Sequence, residues 1–192
     1  MTTALAYAIP LAFASGLNLY ATVAVLGLSS HFGLVALPDQ FRAFDNPMVI
    51  GVALVMYAVE FVADKVPWFD SVWDAVHTVV RPIGGAFVAV TAMAPASPMA
   101  TILGALVGGS VAFTTHAAKA STRGVANASP EPFSNWFLSF IEDIVAAGLS
   151  YIALAHPLVA ATIAIVLLAA IGLFASIIVR ALRRRFAREI RQ

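Results

Sequence analysis

Two basic residues and a histidine share one helical face in the polar segment 115–135. His116, Lys119 and Arg123 are three and then four residues apart, the spacing of side chains on one face of a helix. Such a face can bind a phosphate, a carboxylate or a lipid headgroup through charge-assisted hydrogen bonds. Basic residues beside a membrane span also fix its orientation and contact anionic lipid, but nearby uncharged amides add nothing to that role. The pattern predicts these substrate-binding residues: His116, Lys119, Arg123, Asn127 and Asn135.

Acidic residues lie inside two otherwise apolar segments. Glu142 and Asp143 lie about ten residues into one of them, and Glu60 lies near the end of the other. Ionisable groups at such a depth are costly in a bilayer and favour a functional role, here proton or ion coupling. Adjacent helical residues point about 100° apart, so Glu142 and Asp143 cannot both face one partner. A structural ion pair of Glu142 with Lys119 or Arg123 is the alternative.

A second charged stripe runs through the segment 66–80. Asp70, Asp74 and His77 recur at helical spacing, and Trp68 supplies an aromatic ring of the kind that favours the headgroup level. The segment is therefore predicted to be an amphipathic interfacial helix. Asp74 could also bind a metal ion together with His77 or Asp70. This possibility stays open, because two or three ligands at this spacing are a weak signal.

Small and polar residues mark special points in two apolar helices. Residues 1–38 carry no formal charge, and as one helix they would be about 57 Å long, too long for a simple span. The stretch ASGLN (14–18) therefore predicts a break within the first helix, where Asn18 is a further candidate substrate-binding residue. Gly104 and Gly108 form a GxxxG pattern in the fourth span, which favours close helix packing or a homodimer.

The composition places the whole chain in a membrane. Only 11% of its 192 residues are charged, against about 25% in soluble domains, and residues 157–179 carry no charge, which is long enough for one crossing. The sequence predicts an all-α polytopic membrane protein with one domain over 1–192. The chain has no cysteine and shows no nucleotide-binding, zinc-protease or serine-hydrolase motif, so no cofactor is predicted.

The distribution of basic residues predicts the orientation. About six transmembrane spans would put both termini on one side. Ten of the eleven lysines and arginines then fall on the side of the Arg-rich C-terminus, and only Arg42 falls opposite. Since basic residues concentrate in cytoplasmic loops, both termini are expected in the cytoplasm, with the protein in the inner membrane. The basic tail 181–192 should contact anionic lipid, and nucleic-acid binding is not expected so close to the bilayer.

Two parts of the chain, 1–94 and 98–180, share an order of features. Residues 15–22 (SGLNLYAT) and 108–115 (GGSVAFTT) each place an aromatic residue four positions after a glycine and a threonine two positions later. Each is followed by a proline-started span that carries an acid, and then by a proline-started apolar span. Three spans in each part would make an inverted repeat, a common plan in secondary transporters, with the site between the repeats near the midplane.

Two longer motifs resemble those of a known family. EFVADKVPWFDSVWDAVHTVVRPIGGAFVA (60–89) and THAAKASTRGVANASPEPFSNWFLSFIED (115–143) are similar to a family of bacterial integral membrane proteins classed as a domain of unknown function. The likeness covers nearly the whole chain. It implies a small bacterial multi-span protein and assigns no activity to any residue.

Three functions from different classes remain open. The expected one is a small secondary transporter or channel for a polar, anionic solute or lipid headgroup, with the acids as coupling or gating groups. The second is a membrane scaffold that binds partners without transport. The third is an intramembrane lipid-modifying enzyme with His116 as base and Lys119 and Arg123 as a phosphate clamp, although no clear nucleophile or metal cluster accompanies them.

Overall fold

The computed structural model describes residues 2–35, 38–128 and 133–189, and all regular structure in these ranges is helical. A 3-10 helix, Asp39–Phe44, precedes α3. The predicted all-α class is confirmed. The α-helices of the described ranges are α1 (Thr2–Leu17), α2 (Leu19–His31), α3 (Pro47–Ala63), α4 (Pro67–Met93), α5 (Pro98–Asn127), α6 (Phe133–Ala155) and α7 (Pro157–Glu189).

Four of these helices are long and apolar enough to cross a membrane, namely α4, α5, α6 and the part of α7 from Pro157 to Ala181. The helices α1, α2 and α3 are shorter, with 16, 13 and 17 residues. Large apolar side chains point outwards along the long helices, among them Phe87, Leu106 and Leu173, each more than 60% exposed. An apolar surface of this extent is typical of a protein surrounded by lipid, so the helices match the membrane class predicted from composition.

The helices α1 and α2 form a hairpin. The chain turns at Asn18, whose backbone is extended with φ −150° and ψ 101°. Early in α1, Tyr7 packs on Phe41 with 5.6 Å between ring centroids. At the end of α2, Ser30 donates a hydrogen bond to Asp45 at 3.1 Å. Because Phe41 and Asp45 lie close together in the segment between α2 and α3, the two ends of the hairpin lie at the same end of the bundle.

The hairpin reaches the middle of the bundle. Its open end lies where α4 ends, because Thr3 borders the same cavity as Met93. Its tip lies against the middle of α5, where a Cβ on Gly16 would meet the carbonyl oxygen of Ala112 at 2.5 Å. Non-helical backbone at this depth must be enclosed by protein, since lipid offers no hydrogen bonds. Asn18 at the tip is fully buried.

This course bears on two predictions. The break predicted within 14–18 is found, and the first hydrophobic region turns back there. Four helices of the described residues are long and apolar enough to cross, and the count of about six spans stays a prediction. The start of α1 also lies at the opposite end of the bundle from the end of α7, where Ile178 borders a cavity with Thr122 of α5. The membrane side of each terminus stays a prediction. Residues 1–38 carry no charge that could distinguish a crossing from a hairpin.

The predicted interfacial helix near 66–80 is not a separate element. It forms the first half of α4, a continuous helix of 27 residues that contains Pro82. Asp70, Asp74 and Arg81 are 0–6% exposed and do not face the headgroups. They are buried because α5 presents opposite charges to this face, so the stripe is an internal contact between two helices.

Small residues let α4 and α5 approach closely. A Cβ on Gly108 would lie 2.7 Å from the carbonyl oxygen of Gly85, closer than real Cβ atoms approach. Gly104 faces the sulfur of Met93 in the same interface. The GxxxG pattern is thus used inside one chain, and the homodimer stays a prediction.

The second part of the predicted repeat differs from the first. The helix α5 continues without interruption through 108–115, the counterpart of the break at Asn18. The two parts, 1–94 and 98–180, therefore do not share this feature. At the other end of the chain α7 continues to Glu189, and residues 190–192 of the predicted basic tail lie outside the described residues.

The interior of the bundle has an apolar half and a polar half. In the apolar half, which surrounds the hairpin, the buried side chains include Leu11, Val88 and Leu149. The polar half lies beyond the hairpin tip and contains the start of α4, the end of α5 and the start of α6. Most charged residues that the sequence singles out are buried there.

Candidate functional site

Three cationic and six acidic side chains are buried together in the polar half. They come from α4, α5, α6, the end of α3 and the turn after it, and each is at most 8% exposed. Asn18 at the hairpin tip and His116 on α5 contact them. We call this set the polar network, and its members are Arg81, Lys119, Arg123, Glu60, Asp64, Asp70, Asp74, Glu142 and Asp143.

Arg81 joins α4 to α3 and α5. Its Nη2 donates a hydrogen bond to Glu60 Oε1 at 2.6 Å, and its Nη1 donates to His116 Nδ1 at 2.7 Å. Because a guanidinium can only donate, His116 Nδ1 must accept, and the ring carries its proton on Nε2. That Nε2 donates to the Asp74 carbonyl oxygen at 3.1 Å. His116 is therefore neutral, and both of its ring nitrogens are engaged.

Lys119 is surrounded by three carboxylates. Its Nζ lies 3.1 Å from Asp64 Oδ2, 3.3 Å from Glu142 Oε2 and 3.5 Å from Glu60 Oε1. A buried ammonium needs such pairing, because an isolated charge in a medium of low dielectric constant is very costly. The ion pair between Glu142 and Lys119 that the sequence offered as the structural alternative is present.

Arg123 joins α4, α5 and α6. Its Nη2 lies 3.0 Å from Asp70 Oδ1 and 3.2 Å from Asp64 Oδ2. Its Nη1 donates to the backbone and side-chain oxygens of Asn135, both at 2.6 Å. Asn127 donates to the other oxygen of Asp70, also at 2.6 Å. The two predicted asparagines thus hold the guanidinium and its carboxylate partner in place.

Cations of the network also hold the hairpin tip. The carbonyl oxygen of Gly16 accepts a hydrogen bond from Arg81 at 3.3 Å. The carbonyl oxygen of Leu17 accepts one from Lys119 at 3.2 Å. These carbonyls end α1, so they lack helical partners and carry the negative end of the helix dipole. Positive side chains are favourable there, which explains how an interrupted helix is stable at this depth.

Asp143 is the network acid without a cationic partner. Its Oδ1 accepts a hydrogen bond from Asn18 Nδ2 at 2.9 Å. Within the described residues no basic nitrogen lies within 4.0 Å of its carboxylate, and its buried Oδ2 has no hydrogen-bond partner. The Tyr57 hydroxyl lies near this carboxylate, but no contact to Oδ2 among the described residues has the geometry of a hydrogen bond, so the acid at the hairpin tip has unused acceptor capacity.

The network as a whole has an excess of negative charge. Its six carboxylates and three cations leave three negative charges uncompensated if every group is ionised. Uncompensated charge is strongly unfavourable in a medium of low dielectric constant, and buried acids avoid it by taking up protons or pairing with cations. The arrangement therefore has the capacity to bind and release positive charge.

Two titratable groups lie in the turn between α3 and α4. Burial alone would raise the pKa of Asp64, but Lys119 and Arg123 outweigh it and leave the pKa below its ordinary value. Lys65 donates a hydrogen bond to Ser139 Oγ at 3.1 Å. Burial lowers the pKa of the Lys65 ammonium.

All predicted site residues meet in this one region, although their use in substrate binding or ion coupling stays a prediction. Sequence reasoning misses Asp64, Asp70, Asp74 and Arg81, because a charged helix face looks the same whether it meets water or another charged helix. One feature of the sequence could have revealed the pairing of α4 with α5. The charged residues of the two helices recur at similar helical spacing, so two charged faces could have been matched to each other. The residues that meet are Asn18, Glu60, His116, Lys119, Arg123, Asn127, Asn135, Glu142 and Asp143.

The histidine considered as a metal ligand is engaged in other contacts. His77 Nδ1 lies 2.8 Å from the Trp73 carbonyl oxygen, and its Nε2 lies 3.1 Å from the Tyr20 hydroxyl. No group of three or more His, Asp or Glu side chains suited to a metal ion occurs in the described ranges.

Comparison with known proteins places the chain in a family. Residues 5–176 match a protein family described as a domain of unknown function (DUF4126). Comparisons with curated proteins and with solved structures find no match. The geometry of the polar network is therefore the basis for any statement about function.

Proposed function

The chain belongs to the DUF4126 family, and we propose that it is a small secondary transporter that couples the movement of a polar solute to protons or another cation. The observation that carries this proposal is Asp143, a buried acid at the hairpin tip without a cationic partner among the described residues. A coupled transporter needs an ionisable group at membrane depth that can gain and lose positive charge. Asp143 meets this requirement.

In this proposal the hairpin is the gate between the polar half and the apolar half. Asn18 connects its tip to Asp143, while Arg81 and Lys119 bind the carbonyl oxygens at the end of α1. Protonation of Asp143 removes the negative charge that strengthens the hydrogen bond from Asn18. Proton binding therefore loosens the tip and lets the apolar half open.

The charge balance favours a proton or a cation over the anionic solute expected from the basic stripe. Lys119 and Arg123 are each paired with carboxylates, so neither offers a free positive charge to an anion. The enzyme hypothesis loses support for a similar reason. His116, its candidate base, has both ring nitrogens engaged in hydrogen bonds.

The proposal includes a topology with five crossings, α3 to α7, and a hairpin that enters from the outside. With its 17 residues, α3 is about 26 Å long, close to the thickness of a hydrocarbon core. Lys65 and the start of the basic tail lie at the same end of the bundle, which the positive-inside rule assigns to the cytoplasm of an inner-membrane protein. The start of α1 then faces the outside.

Single introduced cysteines test this topology, because the chain has none of its own. Thr3→Cys should react with a membrane-impermeant maleimide in intact cells, whereas Ala181→Cys should react only after permeabilisation. If both positions require permeabilisation, the first hydrophobic region crosses the membrane and the hairpin topology is wrong.

The inverted repeat is kept in the proposal on the strength of one contact. Glu60 and Glu142 are counterparts in the two parts of the sequence, and both lie within 3.5 Å of Lys119 Nζ. Counterpart groups that meet at one point are what a pseudo-two-fold axis near the midplane would produce.

Proton flux tests the function. Full-length protein in liposomes that contain a pH-sensitive dye should move protons under a potassium diffusion potential when small polar solutes are supplied with the protons, and Asp143→Asn should slow this about tenfold or more, since it removes the coupling charge. The matched control is Asp45→Asn, because Asp45 lies in the segment before α3 and bonds to Ser30 outside the network. Equal flux through wild-type and protein-free liposomes would contradict the proposal.

A membrane scaffold is the second candidate function. It is favoured by the pairing of Arg81, Lys119 and Arg123 with carboxylates, which suits a network that only fixes helix positions. In that case Asp143→Asn changes the unfolding temperature in detergent, and wild-type liposomes show no proton flux.

A further inference from the structure

A small polar pocket lies between α4 and α5, next to the network. It has a volume of about 220 Å³. It lies near the start of α4 and the end of α5, at the end of the bundle opposite the open end of the hairpin. The residues that line it include Ser71, Asp74, Thr78, Arg123, Gly124 and Asn127.

Most nitrogen donors around this pocket are already used. Both Nη atoms of Arg123 are bonded to oxygens of the network and of Asn135, and its Nε lies on the side of Glu142, 3.7 Å from Oε2. Asn127 Nδ2 donates to Asp70 Oδ2 at 2.6 Å and to Ser71 Oγ at 3.3 Å. Of these nitrogen donors, only Arg123 Nε lacks a hydrogen-bond partner, and it is buried beside Glu142.

The hydroxyl donors of the pocket are used as well. Ser71 donates its proton to the Pro67 carbonyl oxygen at 3.0 Å, and Thr78 donates to the Asp74 carbonyl oxygen at 2.9 Å. A hydroxyl has one proton and two lone pairs. Ser71 and Thr78 can therefore act only as acceptors towards a ligand. One lone pair of each already faces a nitrogen, Asn127 Nδ2 at 3.3 Å from Ser71 and His116 Nε2 at 3.2 Å from Thr78.

Two further acceptors have no hydrogen-bond partner among the described residues. One is Oδ1 of Asp74, a side chain that is only 6% exposed. Its nearest basic nitrogen is Arg81 Nη1 at 3.5 Å, beyond the usual hydrogen-bond range. The other is Oδ1 of Asn127. The residues that line the pocket thus include a carboxylate, an amide oxygen and two hydroxyl groups, and most of their donors are already used.

We propose that this pocket binds a primary ammonium group. Such a group carries one positive charge and three N–H donors, which match the unused acceptors and the negative excess of the network. A volume of 220 Å³ holds about seven water-sized groups, so the ammonium belongs to a small amine or to an ethanolamine headgroup. The inference rests on the proposed function for one point only, that the bound ammonium is the transported solute or part of it.

Binding of methylammonium to the purified full-length protein tests the pocket. Methylammonium should bind saturably, and tetramethylammonium, which has the same charge and no N–H donor, should not. Gly124→Leu should weaken methylammonium binding about tenfold or more by filling the pocket, while Gly172→Leu on α7 should leave it unchanged. A Cβ at either glycine meets no atom within 4 Å, so both variants should fold. Equal binding of the two cations, or unchanged binding in Gly124→Leu, overturns the inference.

A lipid experiment identifies the source of the ammonium. The protein is compared in nanodiscs of phosphatidylethanolamine and of phosphatidylcholine that contain the same fraction of anionic lipid. An unfolding temperature raised by phosphatidylethanolamine, with the rise lost in Gly124→Leu, supports the pocket and assigns the ammonium to a headgroup. Equal methylammonium affinity in both nanodiscs, again lost in Gly124→Leu, supports the pocket and assigns it to a free amine.

These measurements require no transport, so the two proposals can fail separately. If Gly124→Leu abolishes methylammonium binding but wild-type liposomes show no proton flux, the pocket stands and the proposed function fails. If flux depends on Asp143 but methylammonium and tetramethylammonium bind alike, the function stands and the pocket assignment fails.

Discussion

The two halves of the bundle are built from the same helices and held together by different forces. Apolar side chains such as Leu11 and Val88 fill one half, whereas the polar half buries three cations and six acids. In a membrane, apolar contacts between helices compete with equally apolar lipid, so they do little to select one helix partner over another. Unmatched charges in lipid are costly. The polar half therefore decides which helices become neighbours, and the apolar half fills the remaining space.

The largest expected effect comes from removing a charge in the polar half. Arg81→Met takes away the closest partner of Glu60 and leaves that acid less compensated. Breaking a buried ion pair by removing one partner costs about 3–5 kcal/mol, measurable by chemical unfolding in detergent. The double variant with Glu60→Gln should recover part of this loss. An unfolding midpoint of Arg81→Met equal to that of wild type would show that the polar half does not control stability.

A smaller effect is expected from opening a cavity in the apolar half. Leu11 is fully buried, so Leu11→Ala should cost about 2 kcal/mol through lost contacts and an unfilled cavity. Unfolding in detergent measures the loss, and Leu173→Ala is the control because Leu173 is exposed on α7. Proton flux that depends on Asp143 should persist in Leu11→Ala. A complete loss of flux would show that the two halves are not separable.

At the boundary between the halves, Asn18 combines two contacts of moderate strength. Its Oδ1 accepts from the Ala21 backbone N–H at 2.8 Å, and its Nδ2 donates to Asp143. Asn18→Ala removes both, and loss of the helix cap alone costs about 1 kcal/mol. Asn18→Ser keeps a cap and loses only the bond to Asp143, so it should unfold between Asn18→Ala and wild type. Equal midpoints of the two variants would mean that the cap contributes nothing.

The smallest expected effect is a pH dependence at the edge of the polar half. The pKa of Asp64 in the folded protein lies below its ordinary value, which is about 3.9 in an unfolded chain. Its contribution to stability is thus fully present above about pH 4 and is lost as the pH falls through the lower folded pKa. Near neutral pH wild type should unfold at a higher temperature than Asp64→Asn, and this advantage should shrink on acidification. An advantage of wild type that grows on acidification would mean that burial outweighs the cations and that the folded pKa is raised.

The sequence predicts the polar site better than it predicts the path of the chain. Charged and amide side chains in apolar helices have to face protein, so helical spacing alone collects His116, Lys119, Arg123 and Glu142. Residues 1–38 are uncharged throughout, so no charged side chain indicates which of their faces must contact protein. Their hydropathy fits a crossing and a hairpin equally well, because both keep the same side chains in lipid or protein.

The misjudged stripe on α4 has a different physical cause. The pattern of a surface helix is formed by Asp70, Asp74 and Arg81. The helix does have one charged face and one apolar face. The sequence of α4 alone cannot state what lies opposite the charged face. Only the pairing with Lys119 and Arg123 of α5 turns it into an interior surface.

The charged first half of α4 leaves the ribosome before its partners on α5 exist. Asp74 and Arg81 precede Lys119 by about 40 residues of synthesis. Each charge at the centre of a lone inserting helix carries a penalty of about 2.5–3.5 kcal/mol. We expect α4 to stay in the translocon, or at the membrane surface, until α5 has been made. Asp70 of α4 can then pair with Arg123 of α5, so the order of translation becomes part of how this protein assembles.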